Sequence, residues 1–151
     1  MERESKAHPG AARMASDCVA SRVRLINRCI SGLYDEALRP HGIRISQGNI
    51  LVAVAHLGEA KPSSICRALR IEKSTLSRDV ELMKRQGWIE SDPPAGGRNQ
   101  VLRATPQGLA LLDAAIPAWE SAQAKALELL GETGVGQLHQ MAARLGFGRG
   151  G

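Results

Sequence analysis

Apolar positions recur along this chain mainly at helical spacing, and that sets the fold class. From Ser16, the residues Val19, Val23, Ile26, Ile30, Leu33 and Ala37 follow at alternating steps of four and three, the stripe of a long helix packed along its length. Pro40-His-Gly42 ends it. Ser46 is expected to cap a second helix, Gln47 to Leu57, with Ile50, Leu51, Val54 and Leu57 inward. After Gly58-Glu-Ala-Lys-Pro62 comes a short helix capped by Ser63 or Ser64, with Ile65, Ala68 and Leu69 at helical spacing. Beyond a turn at Ile71, Lys73 to Gln86 continues helically with Leu76, Val80 and Met83 on one face, and Gly87 stops it. Trp88 to Ser91 and Gln100 to Arg103 are short, apolar enough to pair as a hairpin, and joined by Asp92-Pro-Pro-Ala-Gly-Gly-Arg-Asn99. Thr105-Pro106 starts the next helix as cap and first position, carrying Leu109, Leu112, Ile116, Trp119 and Leu127 to about Leu130. Gly131-Glu-Thr-Gly134 breaks it before a last helix, Val135 to Leu145, with Leu138, Met141 and Leu145. The fold class is mainly α with a small β-hairpin.

Residues 1–14 are polar and contain Pro9-Gly10, so they are expected to form a flexible arm; the tail 146–151 is expected to be disordered. Between them, 15–145 reads as one domain, long enough to bury a real core. Apolar content of 43% with only 3% aromatics leaves that core to Leu, Ile, Val, Ala and Met, which suits helices. No apolar run reaches membrane-spanning length, and the charged N-terminus has no signal-peptide pattern. Three cysteines at irregular spacing make neither a disulfide framework nor a zinc pattern. The expected compartment is the reducing cytoplasm, away from membranes.

Charge narrows the function. The net charge is +5, and residues 61–103 alone carry nine cations against five anions, which suits a polyanion partner but on charge alone equally suits a solvated basic surface. The second helix of that stretch sets Ser74, Thr75, Ser77 and Arg78 opposite its apolar face. Short hydrogen-bonders and a guanidinium fork are what a helix needs in a DNA major groove. Arg78 can take guanine O6 and N7 together or grip a phosphate; Ser74, Thr75 and Ser77 divide between base edges and phosphates. Arg98, near the loop tip, is placed to reach an adjacent minor groove. Ser63, Ser64 and Lys73 are expected phosphate contacts. The candidate partner is double-stranded DNA, met by a winged helix-turn-helix over 46–103.

The Ser74-Thr-Leu-Ser-Arg78 string, Gly87-Trp-Ile-Glu90 leading into the wing, and Leu102-Arg-Ala-Thr-Pro-Gln-Gly108 after it resemble the MarR (multiple antibiotic resistance regulator) family of bacterial transcription regulators, in order and spacing. The resemblance extends over roughly 15–145. Two positions depart from the pattern: Gly97 stands where an acidic residue usually precedes the wing arginine, and Asp79 puts an anion on the recognition helix. Taken on their own, the flanking helices could pair with a second chain or simply cover one monomer's core. The resemblance implies the first, with 15–39 and 105–145 as dimerisation helices of a homodimer on a palindromic operator. Repression is the expected outcome, because a dimer covering a promoter blocks polymerase without further contacts, and the resemblance implies release by a small-molecule effector, such as an aromatic carboxylate, bound between the dimer helices and the reading unit. Arg22, Tyr34, His41 and His56 are the candidate effector contacts.

Other regulators of this kind respond to cysteine oxidation, so Cys18 and Cys29, eleven apart on the first helix and unable to bridge within it, are redox candidates; Cys66, beside Ile65, is expected in the core. A winged helix can also serve as a protein-interaction module, which Arg98 argues against. A metal-responsive regulator would need ligands clustered in space, and the scattered His8, His41, His56 and His139 promise none. No phosphate-cradling glycine loop, His-Glu-x-x-His, Gly-x-Ser-x-Gly or Cys-x-x-Cys motif is present. No cofactor, metal or catalytic residue is therefore expected, and no enzyme.

Overall fold

The computed structural model describes residues 8–93 and 98–146, and the chain falls into two units, Met1–Gly32 and Leu33–Gly151. In the first unit, α1 (Pro9–Asp17) is followed by most of α2 (Val19–Leu38). This departs from the expected arm reaching residue 14 and from one helix beginning at Ser16. Pro9 opens a helix because a first-turn amide would lack a partner anyway. Cys18, extended at ψ 109°, separates α1 from α2. Residues 1–7 lie outside the described part. Nothing in α1 is buried, and Val19, Val23, Leu25 and Ile26 are exposed.

The second unit holds the core. After a 3-10 turn, Arg39–His41, and Gly42 in the left-handed region (φ 71°), α3 spans Ile45–Leu57. Its first amides are satisfied by side chains other than the expected Ser46: Ile45 N–H donates to Asp35 Oδ1 (2.8 Å) and Arg44 N–H to Gln47 Oε1 (3.2 Å). The helix α4 (Pro62–Leu69) starts ahead of both expected caps, with Pro62 in its first turn and Ser63 and Ser64 inside it. It ends at Arg70, held at φ 53°. The next helix, α5 (Lys73–Arg85), buries Leu76, Val80 and Met83, the face its spacing predicts. Gly87 turns the chain at φ 75°.

Strands β1 (Ile89–Asp92) and β2 (Val101–Ala104) pair antiparallel, Ile89 opposite Ala104. Both begin one residue later than expected. Trp88 is instead a buried anchor, its N–H donating to the Met83 carbonyl (2.9 Å) and its own carbonyl accepting from Thr105 N–H (3.0 Å). A further bridge, Ala60 with Leu102, ties the hairpin to the α3–α4 connection. The chain then enters α6 (Pro106–Arg144), capped by Thr105 as expected and interrupted at Gly131 (φ 67°, ψ 163°). The expected four-residue break thus narrows to a single residue. Of the tail, only Gly146 is described. Ile50, Leu51, Val54, Ile65, Leu76, Met83 and Leu102 are the largest fully buried side chains, so α3, α4, α5 and the hairpin share one core.

Candidate nucleic-acid interface

Burial of Leu76, Val80 and Met83 fixes which way α5 faces. With that side inward, Ser74, Ser77 and Arg78, related by steps of three and four, share the outer face and are exposed. Lys73 is exposed at the helix start, while Thr75 is half-buried at the edge of the row. Asp79 is also half-buried, turned partly away from that row. On α4, Ser63 is exposed and Ser64 half-buried. The turn between the two helices places Arg70 so that its guanidinium donates to the Leu145 carbonyl at 2.6 Å. Arg98 is exposed in the turn leading back to β2. Gly97, at which the wing departs from the usual pattern, lies outside the described residues.

The base of the wing has a brace that spacing alone did not reveal. Arg103 on β2 donates to Glu59 Oε1 from Nε (2.9 Å) and Nη2 (2.5 Å), and its Nη1 lies 3.8 Å from Asp92. The Glu59 hydrogen bond and charge, with Asp92 and Glu90 adding to them, raise the Arg103 pKa above its ordinary value. This cation is committed within the fold, unlike Arg78. Glu59 stands next to Ala60, which carries the bridge to Leu102. Only the register puts Glu59 beside Arg103.

A cavity of about 280 Å³ lies beside α3 and α6. On one side are Leu38, Ile43, Ile45, Gly48, Asn49 and Val52. On the other are Leu111, Leu112, Ala115, Ile116 and Trp119. None of the expected effector contacts Tyr34, His41 and His56 lines it. Tyr34 donates from its hydroxyl to Gln123 Oε1, and burial pushes its pKa up. His41 is half-buried on the 3-10 turn and His56 exposed on α3. Arg22, in the first unit, donates to the carbonyls of Ser16 and Cys18. Asn49 had no sequence signal, and Trp119 read as one of the apolar positions of a dimerisation helix.

Cys18, Cys29 and Cys66 are free thiols. Cys18 is half-exposed at the junction before α2 rather than within a helix, and Cys29 is exposed on α2. The hydroxyl of Ser21, followed by its backbone N–H, lowers the Cys18 pKa against the opposing pull of burial. Cys66 is half-buried against the core. Among the described residues no three His, Cys, Asp or Glu side chains gather as a metal site. No helix among them is long and apolar enough to cross a membrane.

Residues 41–98 match the sequence profile of the MarR family. Among solved structures, the chain is similar to the transcriptional regulator MosR of M. tuberculosis at 27% identity, covering 86% of this chain and 93% of that one with a TM-score of 0.72. A mutant MarR from E. coli complexed with operator DNA is 16% identical, covering 87% and 96% at a TM-score of 0.74. CouR from Rhodococcus jostii RHA1, bound to p-coumaroyl-CoA, is 20% identical, covering 88% and 94% at 0.73. No curated protein matches the chain by sequence.

Proposed function

The chain belongs to the MarR family of transcriptional regulators, and from that premise we propose that it reads a palindromic operator as a homodimer, represses from it, and is released by a small molecule. The observation that carries this is the division of α5. Leu76, Val80 and Met83 hold one side in the core while Ser74, Ser77 and Arg78 stand exposed on the other. Lys73, Thr75, Ser63, Ser64 and Arg98 complete the proposed DNA contacts. Operator DNA in the E. coli relative supports the partner.

The proposed dimerisation helices, 15–39 and 105–145 flanking the reading unit 46–103, are supported by apolar side chains left uncovered. Val19, Val23 and Ile26 are exposed in the first unit, and Leu127, Leu129 and Met141 on α6. A lone chain leaving this many large apolar groups in water gains by burying them against a copy. The cavity beside α3 is the proposed effector site, and the proposed compartment, for a regulator acting on DNA rather than an enzyme, is the cytoplasm.

Fluorescence anisotropy against upstream DNA and a scrambled duplex, at two salt concentrations, tests the reading. Wild type should show a specific excess that Arg78→Ala loses. Equal weak binding of both duplexes by both proteins would overturn it. A second mode of release, oxidation of Cys18, is favoured by its lowered pKa and half-exposed position; Cys29 is the second candidate thiol.

A further inference from the structure

The walls of the cavity between α3 and α6 bear on which class of effector fits, an inference that rests on the regulator reading above. Leu38, Ile43, Val52, Ile116 and Trp119 present largely apolar surface, buried at Leu38 and Ile43 and open to solvent at the other three, and the exposed Asn49 supplies an amide. The chain has twenty lysines and arginines, yet among the described residues no cation, histidine included, lines this space. A carboxylate moved from water against such walls loses hydration that one amide replaces only in part, and no opposite charge among the described lining residues offsets the loss. A neutral ring loses little and gains burial. We propose that the cavity prefers a neutral aromatic or similarly apolar molecule with a single hydrogen-bonding group directed at Asn49 over the corresponding carboxylate.

Size agrees with this. The 280 Å³ space exceeds the apolar cavity of about 150 Å³ that accepts one benzene ring, so two fused rings fit. The position gives the ligand leverage. One wall is α3, whose Ile50, Leu51 and Val54 lie in the core of the reading unit. The other is α6, which leaves the wing directly through Thr105. A molecule seated between them favours whichever spacing of the two helices holds it better, and that differential affinity is what shifts a regulator between states.

The test is calorimetric titration of the full chain with 1-naphthol and 1-naphthoate at neutral pH, which share a ring and differ in charge. The naphthol should bind at least about tenfold more tightly. Gly48 lies on the cavity wall inside α3, and a Cβ there meets nothing within 4 Å. Gly48→Leu should therefore fill the space, abolish naphthol binding and leave a folded helix. Asn49→Arg should narrow or reverse the preference by supplying the missing cation.

Equal or tighter binding of naphthoate by wild type, naphthol binding untouched by Gly48→Leu, or no heat from either compound would overturn the proposal. So would a Gly48→Leu protein whose sedimentation shows an altered oligomer while wild type ignores naphthol, since the cavity would then belong to a second copy of the chain. Anisotropy with operator DNA on the same samples separates the two failures. Intact DNA binding with a naphthoate preference removes only the ligand assignment. Absent DNA binding removes the regulator reading.

Discussion

The Trp88 carbonyl oxygen occupies the space where a Cβ on Gly108 would fall. Two backbones therefore meet there, one ending α5 and entering the wing, the other opening α6. Gly108 lies in the first turns of α6, where alanine would ordinarily be favoured by about 1 kcal/mol. The clash is with backbone, which cannot swing aside like a flexible side chain. Gly108→Ala should thus destabilise by roughly 1–3 kcal/mol, seen as a lower urea midpoint with an unchanged slope. A neutral or stabilising result would mean that the two segments can separate freely.

Thr105 locks the same junction. Its hydroxyl donates to the Gly87 carbonyl (2.5 Å) and accepts from Gly108 N–H (3.0 Å). Thr105→Ala removes both bonds and should cost about 1–2 kcal/mol, while Thr105→Ser, keeping the hydroxyl, should recover most of that in the same denaturation experiment.

Lys73 and Arg78 should separate in DNA binding although both are exposed on α5. Lys73, at the helix start, is proposed to meet phosphate. Lys73→Ala should weaken all duplexes alike and reduce the slope of log affinity against log salt by about 0.9. Arg78 is proposed to reach a base edge, so Arg78→Ala should lose about 1–3 kcal/mol of discrimination at one operator position. Identical profiles for the two variants would reassign Arg78 to the backbone.

The reading unit was legible because two periodicities agree there. Leu76, Val80 and Met83 predict one buried face of α5, Thr105-Pro106 announces the start of α6, and both are found. What escaped depended on contacts distant in sequence. Ser46, Ser63 and Ser64 have the chemistry of caps, yet Asp35 and Gln47 reach the start of α3 and Pro62 opens α4 before the serines. Arg103 and Glu59 are 44 residues apart and meet only because Ala60 bridges Leu102. The cavity likewise joins α3 to α6, and a stripe of apolar residues cannot say whether it lines a core or a hollow.

The brace at the wing should contribute little to stability despite its short distances. The Arg103 side chain is 34% exposed and that of Glu59 65% exposed. Exposed pairs return at most about 1 kcal/mol after solvent screening and the ordering of two long side chains. Glu59→Gln should therefore move the urea midpoint by no more than that, and added salt should shrink the difference. Its larger effect should appear as faster amide exchange at Ala60 and Leu102, whose bridge lies beside the pair. A loss of several kcal/mol would show that water is excluded from the pair.

Cys18 should react with a pH dependence that follows its surroundings. The Ser21 hydroxyl and backbone N–H stabilise the thiolate and lower its pKa. A lowered pKa means that the thiolate survives to more acidic pH, so the alkylation profile of the folded chain should rise at lower pH than that of the same chain in urea. Ser21→Ala removes the larger of the two contributions and keeps the backbone bond, so its profile should fall between them. Peptide mapping separates Cys18 from Cys29 in the same sample. Coincident folded and unfolded profiles at Cys18 would remove the physical basis for a thiol switch there and leave release to the small molecule alone.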